Sequence, residues 1–119
     1  MLSRTIDLTD QINNGTNYAI ADVGEWESLT IQAIGLAGTM TIAATNNGGE
    51  ITGSTNGGPR DSADYNSIQA INLTTGAAAT AVTGTTLFRI TPISFKYLRL
   101  GDGSSATATK LLVHCTKPY

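Results

Sequence analysis

Apolar and polar residues alternate with a period of two through much of this chain. In Ser28-Leu29-Thr30-Ile31-Gln32-Ala33 the apolar residues Leu29, Ile31 and Ala33 occupy every second position. That spacing puts them on one face of a strand and the polar residues on the other. Gly38 to Ala44 repeats the pattern with Met40, Ile42 and Ala44 inward, and the short Ile34-Gly35-Leu36-Ala37 between the two reads as a hairpin connection. Further strands are predicted at Ser67 to Leu73, Thr86 to Thr91, Phe95 to Leu100 and Thr107 to Cys115, with shorter ones at Thr5 to Leu8 and Tyr18 to Ala21. Gly101-Asp102-Gly103-Ser104-Ser105 predicts a tight turn before the final strand, its glycines supplying positive φ. No window carries a capped apolar stripe of period 3.6. Ala77-Ala78-Ala79 offers a nucleus for one helical turn, but Thr and Gly on both sides oppose its extension. The expected fold is all-β: a single antiparallel β-sandwich domain over residues 1–119, of jelly-roll type, with about eight short strands. Residues 1–16 are expected to form an extended N-terminal arm or an edge strand.

One connection is long. Thr45 to Asn66 passes through Asn46-Asn47-Gly48-Gly49 and Asn56-Gly57-Gly58-Pro59, with a possible short strand at Glu50-Ile51-Thr52. A segment this rich in Gly and Asn has too little apolar surface to serve the core. It is expected to lie outside the sandwich and to contact partners through Arg60, Asp61 and Tyr65, since Arg and Tyr concentrate binding energy at interfaces.

Composition narrows the function classes. Hydrophobic residues make up 40% of the chain and charged residues only 13%, which excludes a disordered chain. So few charges imply a surface largely of neutral Thr, Ser, Asn and Gly, part of it covered by other subunits. The net charge is -2, with no basic run, so counterion release has little to drive nucleic-acid binding. A single cysteine, Cys115, rules out a disulfide framework within the chain. Met1 to Asp7 lacks the apolar run of a secretion signal, and no stretch reaches the roughly 20 apolar residues that cross a bilayer. A soluble product made in the cytosol, with no membrane partner, is expected.

Catalytic constellations are sparse. There is no phosphate-binding glycine loop and no Cys/His cluster for zinc. His114, the one histidine, and Cys115 follow the apolar Leu111-Leu112-Val113. They read as a histidine on the polar face of a strand and a small core residue. Gly53-Ser54-Thr55-Asn56-Gly57 resembles a nucleophile elbow only superficially, having Thr at the centre. Asp61 and Asp64, three apart in a polar loop, read as solvated acids, and Asp102 as a turn residue. No catalytic residue, cofactor or metal is expected, and the chain reads as a non-enzyme. Aromatic residues are the better clue. Trp26, between Glu25 and Glu27, either anchors the sandwich edge from within or stacks on a sugar or neighbouring subunit. Tyr65 and the terminal Tyr119 have no evident core duty, and their large area at low entropy cost suits partner contact.

The run from Trp26 through Ser28-Leu29-Thr30-Ile31-Gln32, Gly35 and Gly38-Thr39-Met40-Thr41-Ile42-Ala43-Ala44-Thr45-Asn46-Asn47-Gly48-Gly49 resembles small β-sandwich structural proteins of tailed bacteriophages. Phe95-Lys96-Tyr97-Leu98-Arg99-Leu100 and Ala106-Thr107-Ala108-Thr109-Lys110-Leu111 are similar to their last two strands. The resemblance covers most of the chain from Trp26 onward and transfers no catalytic residue. It implies a virion protein made in the host cytoplasm: a head decoration or cement protein that stabilises the capsid, or else a tail, baseplate or fibre component or a carbohydrate-binding module. It also implies two kinds of partner. The first is the chain itself, as a homo-oligomer with a trimer favoured, and the second is other phage structural proteins such as the major capsid protein.

Overall fold

In a computed structural model of the chain, residues 1–14, 18–46, 65–101 and 106–119 are described. They form two antiparallel sheets packed face to face. The strands are β1 (Leu2–Asp7), β2 (Tyr18–Asp22), β3 (Ser28–Ile34), β4 (Met40–Thr45), β5 (Asn66–Ser67), β6 (Ala70–Asn72), β7 (Ala78–Ala79), β8 (Ala81–Val82), β9 (Thr86–Ile90), β10 (Tyr97–Gly101) and β11 (Lys110–Lys117), with one four-residue helix, α1 (Thr9–Ile12). The larger sheet runs β1-β11-β3-β9-β6-β7 and the smaller β2-β10-β4-β5, with β8 also on β4.

The alternation in the sequence selects the buried faces. Leu29, Ile31 and Ala33 of β3, Phe88 and Ile90 of β9, and Leu111, Val113 and Cys115 of β11 line the larger sheet's inner face. Opposite them lie Ala19 and Ala21 of β2, Met40 and Ile42 of β4, and Leu98 and Leu100 of β10. These residues form a single buried cluster, as a two-layer domain requires.

Several expectations are corrected. β3 and β4 do not form a hairpin, because they lie in opposite sheets. Alternation reports which face of a strand is buried and is silent on which sheet owns it. The connection climbs over the core, with Gly35 at φ +64° and Gly38 at +80°, and Ala37 bridges Thr107. The chain also changes sheets after Gly101, between β10 and β11, where a tight turn was expected. Ser67 to Leu73 divides into β5, which pairs with β4, and β6, which pairs with β9. Ala78 and Ala79 form β7 against β6 and not a helical turn. These short pieces bring the count among the described residues to eleven strands, against about eight expected.

Helix α1 was not foreseen. It starts without a side-chain cap from Leu8. The Asp7 carboxylate instead accepts the Thr9 backbone N–H at 2.9 Å. Hydrogen bonds from Thr9 hold the Asp7 carboxyl below its ordinary range. Leu8 and Ile12, four apart, are both buried in the core. Gln11 Oε1 accepts the Ile20 N–H at 2.9 Å along the outer edge of β2. Asn13 both donates to the Ala108 carbonyl at 2.7 Å and accepts its N–H at 3.1 Å. Asn13→Leu leaves both backbone groups of Ala108 without these partners. It is expected to lower stability by about 1–3 kcal/mol in urea unfolding.

Candidate interaction surfaces

The outer face of the smaller sheet carries an aromatic-cationic stack. Arg99 projects outward from β10, between the inward Leu98 and Leu100, with Ile20 and Ala43 as its cross-strand neighbours. Its guanidinium lies 4.4 Å from the Tyr18 ring centroid and 4.2 Å from that of Tyr65. Tyr18 comes from β2 and Tyr65 from the residue before β5, so the stack spans the sheet. Ile20, Ala43, Thr45 and Tyr97 belong to this outward face and are nonetheless buried. The face is therefore already covered within the chain, and Tyr65 contributes to that cover. Burial pushes the Tyr65 hydroxyl up to about 12, against the opposing pull of Arg99.

Trp26 is half-buried against the core. Lys117 Nζ sits 5.1 Å from its ring centroid and 3.8 Å from Glu25 Oε2. This is the inward-anchoring role, with one ring face already occupied by a cation. Tyr119 is 95% exposed. With Met1, Glu27, Ser28 and Lys117 it borders a shallow groove of about 430 Å³. Arg60 and Asp61 lie outside the described residues, as do Asp64, Asp102 and most of the 45–66 connection. The structure thus does not bring Trp26, Tyr65 and Tyr119 into one site. Trp26 and Tyr119 belong to the end of the sandwich where β11 terminates, and Tyr65 to the outer face of the smaller sheet.

A larger cleft of about 730 Å³ opens between β1, the end of β2 and the 93–96 segment. Its charges balance, with Arg4 and Lys96 facing Asp22 and Glu25. Lys96 Nζ is 3.4 Å from Asp22 Oδ2, and both side chains are about half exposed. Such a pair adds little stability. His114 lies on the exposed face of β11, where Nδ1 shares a 3.0 Å hydrogen bond with Thr5 Oγ1. Cys115 is fully buried, and that burial pushes its thiol up to about 11. Among the described residues, no three His, Cys, Asp or Glu side chains gather to hold a metal.

Both raised groups give a signed pH dependence. Each has a folded pKa above its ordinary value, so its contribution is whole below that value and is lost as pH rises through the folded one. The windows run from about 9 to about 11 for Cys115 and from about 10 to about 12 for Tyr65. Melting temperature is expected to fall across this range, and Tyr65→Phe, which keeps the ring on Arg99, should flatten its upper part. An unchanged slope in the Phe variant would show that Tyr65 ionises as freely folded as unfolded.

The Arg99 stack escaped the sequence reading because its two partners, Tyr18 and Tyr65, come from two segments far from it in the chain. The available signal was Arg99 itself, an Arg on the outward register of a strand whose flanking residues are Leu.

No protein-family model matches the chain, and no curated protein matches it in sequence. Among solved structures, the fold is similar to that of the SPBc2 prophage-derived protein YomS. The TM-score is 0.60 at 10% sequence identity, covering 96% of this chain and 91% of that one. At this identity the likeness establishes the shared fold: an all-β sandwich also built by a prophage-derived protein.

Proposed function

We propose that this chain is a non-enzymatic structural protein of a tailed-phage particle, acting as a head decoration or cement subunit. The observation that carries the reading is the fold shared with prophage-derived YomS over nearly the full length of both chains. The strand winding supports it. Setting aside β6, β7 and β8, the larger sheet reads β1-β11-β3-β9 and the smaller β2-β10-β4-β5. Early strands thus interleave with late ones, the order produced by winding a jelly roll, an architecture frequent among capsid proteins. The low charge content suits close lateral packing of subunits. Function then follows by linkage. A subunit that binds only the assembled shell stabilises it by mass action, without any bond being made or broken. Its partners are further copies of the chain and the major capsid protein, and its location is the virion.

A sugar-binding sandwich is the second reading. It is weakened because Lys117 already stacks on the ring of Trp26 and Arg99 on that of Tyr65. Retention on a sugar column that is lost in Trp26→Ala would favour it. The cement reading is tested by deleting the gene and heating the particles. Deleted particles should release their genome at a lower temperature, and added purified chain should restore the native value. Equal heat resistance with and without the chain would reject the cement role.

A further inference from the structure

Strand edges are where a sandwich meets other chains, because their outward N–H and C=O groups lack neighbours. Most edges here are blunted. β7, β5 and β8 have two residues each, and the Ile20 N–H on the edge of β2 is taken by Gln11. β1 is different. It has six residues in unbroken register with β11 and no proline. Five of its residues are exposed and Ile6 is half-buried. The Leu8 N–H bonds the Leu111 carbonyl at 2.8 Å, which fixes the parity of the ladder. Leu2, Arg4 and Ile6 bond toward β11, and Ser3, Thr5 and Asp7 direct their backbone groups outward. Among the described residues no backbone bond satisfies those three.

We propose that β1 is a pairing edge for a second copy of this chain, antiparallel and related by a twofold axis through Thr5. Such a contact is isologous, and same-face residues oppose one another across it. The register centred on Thr5 uses all three outward residues: Thr5 opposes Thr5, and Ser3 opposes Asp7 twice. On the other face Arg4 opposes Ile6, so its aliphatic stem covers apolar surface. Leu2, 43% exposed in the single chain, lands beside Ile6 and Leu8 of the second copy. Neighbouring registers are poorer. Centring on Arg4 or on Asp7 sets like charges face to face, which is destabilising, and centring on Ile6 leaves Ser3 opposite a helical residue. The match between β1 and its own reverse selects a second copy over an unrelated strand as the occupant. This surface gives even-numbered assemblies. It can join trimers in pairs but cannot close the trimer expected from the sequence.

Light scattering of the full chain at micromolar concentration should give twice the 12.4 kDa of one copy, or an even multiple of it. Thr5→Lys and Thr5→Glu each set like charges together at the axis and should halve that mass while leaving the far-UV spectrum nearly unchanged. Mixing the two variants should restore the native mass, because Lys then faces Glu. Amide exchange at Ser3, Thr5 and Asp7 should quicken by about tenfold or more in either variant alone. A single-copy native chain, native mass in Thr5→Lys, or a mixture that stays halved overturns the proposal. An odd-numbered native assembly with unprotected amides at these positions overturns it too, while leaving the particle role standing.

Discussion

Phe88→Ala should lower the free energy of unfolding by about 3–5 kcal/mol, a large part of the 5–15 kcal/mol that holds a typical domain together. Phe88 is fully buried and the largest such side chain among the described residues. It sits near the middle of β9 and opposes Ile31 of β3 across the ladder, so it faces the centre of the space between the sheets. Removing the ring gives up its transfer free energy and leaves a cavity whose walls are strands. Strands fixed on both sides by hydrogen bonds cannot collapse inward, which places the cost in the upper part of the usual range. Urea unfolding followed by Trp26 fluorescence measures it. A loss below about 1 kcal/mol would mean that Phe88 does not fill the core as described.

Gly35→Ala should cost about 1–3 kcal/mol although it adds one methyl at the surface-facing end of the sandwich. Two separate effects combine. Gly35 holds φ at +64°, a conformation that a Cβ disfavours by about 1–2 kcal/mol. A Cβ there would also stand 2.5 Å from Thr109 Oγ1 and 3.1 Å from Thr109 Cβ. The hydroxyl can rotate away, but Thr109 is fastened by its N–H to the Ile34 carbonyl at 2.9 Å, so its backbone has little room to retreat. A gain of about 0.4–1 kcal/mol from restricting the unfolded chain offsets only part of this. Placing the change in a Thr109→Ala background separates the effects: the 2.5 Å clash with Oγ1 disappears, while the 3.1 Å approach to Cβ and the conformational cost stay. If both backgrounds lose nothing, the crossover does not use the left-handed conformation.

These two sites also show how far the sequence could be read. Leu29, Ile31 and Ala33 announce the buried face of β3 by spacing alone, whereas in β9 the adjacent apolar pair Leu87 and Phe88 leaves the face open until the structure buries Phe88 and exposes Leu87. Gly35 and Gly38 mark a change of direction, but glycine is compatible with a hairpin and with a crossover alike, because both require positive φ. Sheet membership depends on which strands meet across the core, a long-range choice that alternation does not encode. Helix α1 was hidden for a related reason. Two apolar residues, Leu8 and Ile12, cannot display a period, and tertiary partners such as Ala108 hold the turn in place. At the surface, the exposure of Tyr119 followed from its character and position. The engagement of Tyr65 and Trp26 did not, because Arg99 and Lys117 reach them from remote parts of the chain. The open edge of β1 is also invisible in sequence, since an edge is defined by the strand that is missing.

The particle role itself rests on whether the chain is present in particles in structural amounts. Particles should be purified by density gradient from a phage or induced prophage that encodes the chain, then quantified by mass spectrometry against the major capsid protein. The account predicts a fixed, whole-number relation between the two, unchanged by high-salt washing and by repeated purification. A chain abundant in the lysate and absent from purified particles would contradict it.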